Sequence, residues 1–262
     1  MRTLLAATAA LVALALAGCS APPVDSAGFP AGAVADYQLG GAYDAPAEVE
    51  VVVRDATAEP DPARYSVCYV NGFQTQPGVG WSADLLVREG GEAIVDPDWP
   101  DENILDFSTD EKRALILERM SSVIDDCAAS GFAAVEFDNL DTFARFDEHL
   151  TREAAIAYAT GLVDLAHDAG LSAAQKNTPE LGAVGRDDIG FDFAVVEECD
   201  RFEECADYTD VYGDAVIAVE YTDDLRRDFA EICADPDRPE SMMLRDRDLV
   251  PAGDEGYVFE HC

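Results

Sequence analysis

From residue 49 onward, short apolar and β-branched runs alternate with longer stretches of helical period. Residues 49–53, 65–70, 93–95, 103–107, 133–137, 171–174, 191–196, 215–219 and 242–244 read as strands. A long amphipathic helix is predicted over residues 109–129, capped by Ser108 or Thr109 and stopped by Gly131. A second starts after Thr151, carries Glu153 in its first turn, where negative charge suits the helix dipole, and ends at Gly170. Strands interleaved with helices are the pattern of βα units around a parallel sheet. About eight such units fit, which predicts an α/β fold with a single (β/α)8 TIM-like barrel. An open doubly wound sheet is the second arrangement. No G-x-G-x-x-G follows an early strand, which argues against its nucleotide-binding version.

The region before the barrel has a different composition. Arg2 precedes an apolar run over residues 3–17 that is short for a membrane span and ends in Leu16-Ala17-Gly18-Cys19. This resembles a bacterial lipobox, in which Cys19 would be acylated and become the new N-terminus. Residues 1–18 are therefore expected to be a lipoprotein signal peptide. Residues 19–35, rich in Ala, Pro and Gly, would be a flexible tether, and residues 36–262 the folded body. The expectation is an exported, cell-surface monomer that meets the membrane through its lipid anchor only.

Charge narrows the partners. With 54 acidic against 17 basic side chains the formal net charge is −37, and Lys112 and Lys176 are the only lysines. Surfaces that track nucleic-acid phosphates need clustered Lys and Arg, so a nucleic-acid partner is excluded. Seven cysteines less the lipidated Cys19 leave Cys68, Cys127, Cys199, Cys205, Cys233 and Cys262. An even number suits three disulfides in an oxidising compartment. Sequence does not choose among the fifteen pairings, although Cys199 with Cys205 and Cys233 with Cys262 are the economical ones, leaving Cys68 with Cys127. Three histidines and no C-x-x-C pair give no support to a metal site, and no cofactor is expected.

In a barrel, chemistry belongs where polar residues follow the apolar runs, at the C-terminal ends of strands. Those residues are Asp55, Tyr69, Asn71, Asp106, Glu136, Asp138, Lys176, Asn177, Glu197, Glu198, Glu220 and Tyr221. With period two, Glu136 and Asp138 share one face of their strand. Carboxylates inside a barrel mouth are costly unless hydrogen-bonded or used, and several around one cavity suggest acid–base work. Lys176 would pair with Asp138 or Glu136 and favour the ionised carboxylate. Trp81 and Trp99, both in loops, are candidates to stack on sugar faces or simply to pack.

Several segments, in this order, resemble one known family. They are Cys68-Tyr69, the run from Gly131-Phe132 into Val135-Glu136-Phe137-Asp138-Asn139, and Ala166-His167-Asp168-Ala169-Gly170-Leu171 leading to Lys176-Asn177. Phe191 through Cys199, Glu204-Cys205 and Val219-Glu220-Tyr221 complete the set. Over most of residues 37–225 the chain is similar to glycoside hydrolase family 114, the endo-α-1,4-polygalactosaminidases, whose catalytic domain is a TIM-like barrel. The resemblance implies hydrolysis of α-1,4-linked galactosamine-containing polysaccharide, with Asp138 and Glu197 as the catalytic carboxylates; of the two, Asp138 is assigned as nucleophile and Glu197 as acid/base. Asp55, Tyr69, Asn71, Asp106, Glu136, Lys176, Asn177, Glu220 and Tyr221 are the expected substrate contacts. The polymer is cationic where deacetylated, and an acidic cleft would concentrate it, although most of the charge exceeds what a cleft can hold. The chain departs from the family at Asn71-Gly72-Phe73-Gln74, at Ile104-Leu105-Asp106-Phe107-Ser108 and at Val196. A hydrolase of another glycan, or a non-catalytic sugar-binding or envelope lipoprotein on the same barrel, are the alternative readings.

Overall fold

The computed structural model describes residues 28–262. Its centre is a sheet with eight parallel strands among the described residues: β1 (Ala35–Tyr37), β2 (Val51–Asp55), β3 (Tyr65–Asn71), β4 (Ala134–Asp138), β5 (Ser172–Lys176), β6 (Phe193–Glu197), β7 (Val216–Tyr221) and β8 (Ser241–Arg245). They pair in sequence order, and the short β9 (Phe259–His261) runs antiparallel on β8. β1 and β8 stand at opposite ends of the parallel order. Arg245 bridges them, donating to Asp36 Oδ1 at 2.7 Å and to the Tyr37 carbonyl oxygen, so the sheet is a nearly closed barrel.

Period two sorts the side chains as a barrel requires. Ala35, Val51, Val53, Val67, Ala134, Ala174, Phe193, Val195, Ile217, Val219 and Met243 pack together inside. Alternate residues such as Cys68, Val70, Val135, Phe137, Val196 and Ala218 face the outer layer. That layer is led by α1 (Asp110–Ser130) and α2 (Arg152–Asp168). Thr109 and Thr151 cap them by accepting from the backbone N–H groups of Lys112 and Ala154. Gly131, at φ 100°, ends α1 in the left-handed conformation that glycine adopts at little cost. The shorter α3 (Cys205–Tyr212) and α4 (Phe229–Cys233) cover β6, β7 and β8 from outside.

Three boundaries differ from the sequence expectation. Residues 93–95 and 103–107 are not barrel strands. They belong to the excursion between β3 and α1, where isolated bridges pair Gln74 with Ile104, Leu86 with Leu105 and Val95 with Asn103. Ile104, Leu105 and Phe107 are apolar because they pack against the outer helices, which a period count does not distinguish from a barrel strand. The missing strand is β1, and packing reaches back at least to Phe29 among the described residues, ahead of residue 36. Phe29 stacks on Phe193 with ring centroids 4.2 Å apart, and Ala33 and Ala35 are buried. The expected signal peptide and Cys19 lie outside the described residues. Among the described residues no helix is long and apolar enough to cross a membrane.

The disulfides are Cys68–Cys127, Cys199–Cys205 and Cys233–Cys262, the economical pairing. The first ties β3 to α1 across the barrel wall and the second closes the loop after β6. The third links α4 to the C-terminus.

Candidate active site

Three neighbouring strands, β4, β5 and β6, end in Asp138, Lys176 and Glu197. The residue after each, Asn139, Asn177 and Glu198, has a positive φ of 64°, 44° and 60°. Left-handed backbone is costly outside glycine and least so for Asn, so the repeated kink turns each chain away at once. Each functional side chain is thereby left at the barrel mouth. Asn139 and Asn177 also knit the rim. Asn139 Nδ2 donates to Asn71 Oδ1 at 2.9 Å, and Asn177 Oδ1 accepts from the Glu197 backbone N–H at 2.8 Å.

Lys176 is the centre of the site. Its Nζ lies 3.0 Å from Asp138 Oδ1, 3.1 Å from Glu197 Oε2 and 3.2 Å from Glu136 Oε1, and it donates to Tyr37 Oη at 3.1 Å. Burial alone would lower the pKa of this amine, but Asp138 and Glu197 outweigh it and hold the ammonium. Burial would likewise raise Asp138. Lys176, together with the Tyr69 hydroxyl that donates to Oδ2 at 2.5 Å, overcomes that and keeps its carboxyl below the usual range. Glu197 Oε1 accepts from the Tyr221 hydroxyl, and Asn177 Nδ2 approaches Oε2 at 3.5 Å. Two oxygens held 3.0 and 3.1 Å from one nitrogen can be no farther apart than those lengths together, about 6 Å. The two acids therefore face one space.

That space is a cavity of about 740 Å³ lined by Tyr37, Tyr69, Asp138, Lys176, Asn177, Glu197 and Tyr221, with residues of the surrounding loops above them. Of the expected substrate contacts, Tyr69, Lys176, Asn177 and Tyr221 lie on it. The other five do not. Asp55 and Asp106 turn back on their own loops, Asp55 accepting from Thr57 and Asp106 from Ser108 and Lys112. Asn71 is buried and donates to Glu102 at 2.7 Å, so it supports the rim from below. Glu136 is one inward step deeper than Asp138 and fully buried. It accepts from the Tyr37 hydroxyl at 2.7 Å, and burial pushes its carboxyl up to about 7 although Lys176 opposes this. Glu220 faces outward, as its alternation with inward Tyr221 demands, and accepts the Asp200 backbone N–H at 2.8 Å. Trp81 is packed against the outer core under the guanidinium of Arg119, whereas Trp99 lines the cavity.

Sequence reasoning missed three contributors. Tyr37 bridges Glu136 and Lys176 from β1. Arg247 stacks 4.2 Å over the Tyr221 ring and grips Glu198 with two hydrogen bonds of 2.8 and 3.0 Å. Arg145 joins Asp96 and Asp141 at the opposite rim. Arg145 closes a short helix, Thr142–Arg145, and Arg247 lies in the loop after β8, and nothing in their local sequence marks them.

A sequence profile of glycoside-hydrolase family GH114 matches residues 17–262. Among solved structures, the chain is similar to Ega3 of Aspergillus fumigatus, solved as a complex with galactosamine. The TM-score is 0.71 at 20% identity, covering 89% of this chain and 96% of that one. It is also similar to the glycoside hydrolase domain of PelA from Pseudomonas aeruginosa, with a TM-score of 0.55 at 14% identity over 84% of this chain and 97% of that one. A comparison with curated proteins finds no match. At these identities the structural likeness bears on the fold.

Proposed function

The chain belongs to glycoside-hydrolase family GH114, and from that premise we propose that it cleaves an α-1,4-linked, galactosamine-containing polysaccharide with retention of anomeric configuration. The observation that carries this reading is the single buried ammonium of Lys176 shared by Asp138 and Glu197 at the mouth of the barrel. Retaining glycosidases set their two carboxyl groups about 5 Å apart, and inverting ones roughly 6.5 to 9.5 Å to admit a water. Nearest oxygens within about 6 Å favour the first arrangement.

Asp138 is the nucleophile, because Lys176 and Tyr69 keep it ionised. Its Oδ attacks the anomeric carbon while Glu197 gives a proton to the departing glycosidic oxygen, and the bond between that oxygen and the anomeric carbon breaks. Glu197, now a carboxylate, takes a proton from water as the water displaces Asp138 from the anomeric carbon. Tyr221 and Asn177 hold Glu197 in place for both steps.

The amine of the substrate fits the charge of the cavity. Lys176, Arg145 and Arg247 are each engaged by carboxylates, while the exposed Asp98 and Asp248 stand on the rim without a salt bridge to any described residue. Unpaired negative charge favours a cationic sugar polymer over a neutral one, and Ega3, solved with galactosamine, supports the same sugar class. Export through the signal sequence, with anchoring by acylated Cys19, agrees with three disulfides in the folded body.

The test is release of reducing ends from polygalactosamine, with the anomer of the first product read by NMR. Wild type is expected to release the α anomer, and Asp138→Asn and Glu197→Gln to lose about 10⁴-fold or more in kcat. Equal activity in all three proteins would discard the site. Binding without hydrolysis by wild type would favour a sugar-binding lipoprotein, and cleavage of a different glycan on a panel would reassign the substrate.

A further inference from the structure

Trp99 and Phe202 are the most exposed large hydrophobic side chains among the described residues, at 62% and 59%, and both line the cavity that holds the carboxylate pair. An aromatic ring left in water forgoes a stabilisation that burial would give, so two such rings at one opening call for an apolar partner. A pyranose offers one, because its axial C–H bonds form an apolar face matched to the face of an aromatic ring.

Both rings are presented by braced backbone. The Trp99 turn is held by Asp96, whose Oδ1 accepts the backbone N–H groups of Asp98 at 2.9 Å and of Trp99 at 3.3 Å. Asp96 is itself buried and bound by Gln74 at 2.7 Å and by Arg145. Phe202 sits inside the Cys199–Cys205 disulfide loop, and its N–H donates to the Glu198 carbonyl at 3.0 Å. The loop is pinned again where Arg226 Nε donates to the Asp200 carbonyl at 2.8 Å. Rings carried on braced backbone bind with a smaller ordering cost, which is how a binding surface differs from a chance exposed side chain.

Their positions follow from the barrel. Trp99 belongs to the excursion after β3 and Phe202 to the loop after β6, with Asp138, Lys176 and Glu197 on β4, β5 and β6 between them. We propose that Trp99 and Phe202 are two sugar-stacking platforms that flank the reacting linkage, each holding the apolar face of a pyranose ring of the same polymer chain. This rests on the reading of the site as a glycoside hydrolase, and adds to it where neighbouring sugars bind. The Cys199–Cys205 bridge acquires a purpose in this arrangement, since it fixes a platform directly beside Glu197.

The experiment compares wild type, Trp99→Ala, Phe202→Ala, the double variant, and the rescue variants Trp99→Tyr and Phe202→Tyr, all as the full chain, on polygalactosamine. Both side chains are exposed, so folding is expected to survive truncation. Each alanine variant should lose about 5- to 30-fold in kcat/KM, through KM rather than kcat, with the double variant losing more than either. Tyrosine should restore most of the loss. Direct binding of the polymer to the Glu197→Gln background should weaken by the same factors when either ring is removed. Wild-type cleavage with both alanine variants within twofold of it, or with kcat falling at unchanged KM, overturns the platforms alone. A wild type that neither binds nor cleaves the polymer overturns the platforms and the functional reading together.

Discussion

Lys176 and Arg245 are each a buried cation at the last residue of its strand, β5 and β8, and their surroundings are opposite in kind. Arg245 is saturated. Nε donates to the Val258 carbonyl, Nη1 to Asp36 and the Tyr37 carbonyl, and Nη2 to the Val250 carbonyl, with the rings of Tyr43 and Tyr257 nearby. Most of those acceptors are fixed backbone, and Asp36 has a further donor in Gln38 at 2.8 Å. Lys176 instead lies among three carboxylates and a tyrosine, two of those carboxylates facing the cavity. A buried charge with fixed, matched partners closes a seam. One shared among competing acids tunes them, and its partners stay free to change protonation.

The widest separation between the two should appear on replacing each cation with an isosteric apolar chain. Lys176→Met is expected to reduce kcat/KM on the polymer by about 10²- to 10³-fold, the scale of removing one preorganised charge from an active site. The direction of the residual pH dependence is also set. Lys176 opposes the effect of burial on Asp138, so without it the Asp138 carboxyl rises and the acidic limb of the rate profile moves to higher pH. A variant with an unmoved acidic limb would show that Asp138 is not the ionised partner.

Arg245→Met should do the reverse. It strands Asp36 and three carbonyl acceptors at the junction of β1 and β8, and breaking a buried pair from one side costs about 3–5 kcal/mol of stability. Activity per folded molecule should hardly change. Urea unfolding followed by assay of the folded fraction checks both halves, and a large loss of specific activity at intact stability would put Arg245 in the site.

The same contrast explains what could be read from the sequence. Asp138, Lys176 and Glu197 were legible because each is a charged residue closing an apolar run, and the barrel puts such positions at its mouth. Asp55 and Asp106 carry the same signature but not the same fate. Each is followed two residues on by a hydroxyl, Asp55-Ala56-Thr57 and Asp106-Phe107-Ser108, the pattern of an Asx turn, in which the carboxylate binds its own loop. Glu220 could have been assigned outward from its alternation with Tyr221. The β1 strand was hidden because three residues, Ala35-Asp36-Tyr37, carry no measurable period and follow an Ala- and Pro-rich stretch. Arg145 reaches the cavity from a short helix after β4 and Arg247 from the loop after β8, so only tertiary structure reveals them.

The smallest effect separates two carboxyls raised by burial, one inside the site's network and one on the outer side of the barrel. Burial raises Glu136 to about 7, and Glu220, on the outer side of β7, is raised to about 7 by burial and by its neighbours Asp200 and Glu198. For a carboxyl raised on folding, the native state keeps its proton longer than the unfolded chain. Its contribution is fully present below the unfolded value near 4.5 and is lost as pH climbs from there to about 7, beyond which it is flat. Asp138 has the opposite sign, because its depressed carboxyl stabilises the fold above the unfolded value of 3.8 and loses that contribution as pH falls through the native one. Wild-type stability should therefore fall from pH 4.5 to 7 with a slope of up to about 1.4 kcal/mol per unit for each raised group. Glu136→Gln should remove one share of that slope and Glu220→Gln another, with the raised Glu102, Asp141 and Glu204 keeping theirs, while both leave the acidic limb below pH 4 intact. Urea unfolding across pH 3 to 8 measures these slopes. The groups facing Glu136 are Tyr37, Lys176, Asp138 and Glu197; Lys176 opposes the rise, so in Lys176→Met the Glu136 carboxyl climbs further and its share of the slope extends to higher pH. Should the slope survive Glu136→Gln unchanged, Glu136 is ionised in the native protein at acidic pH, and burial does not set its protonation.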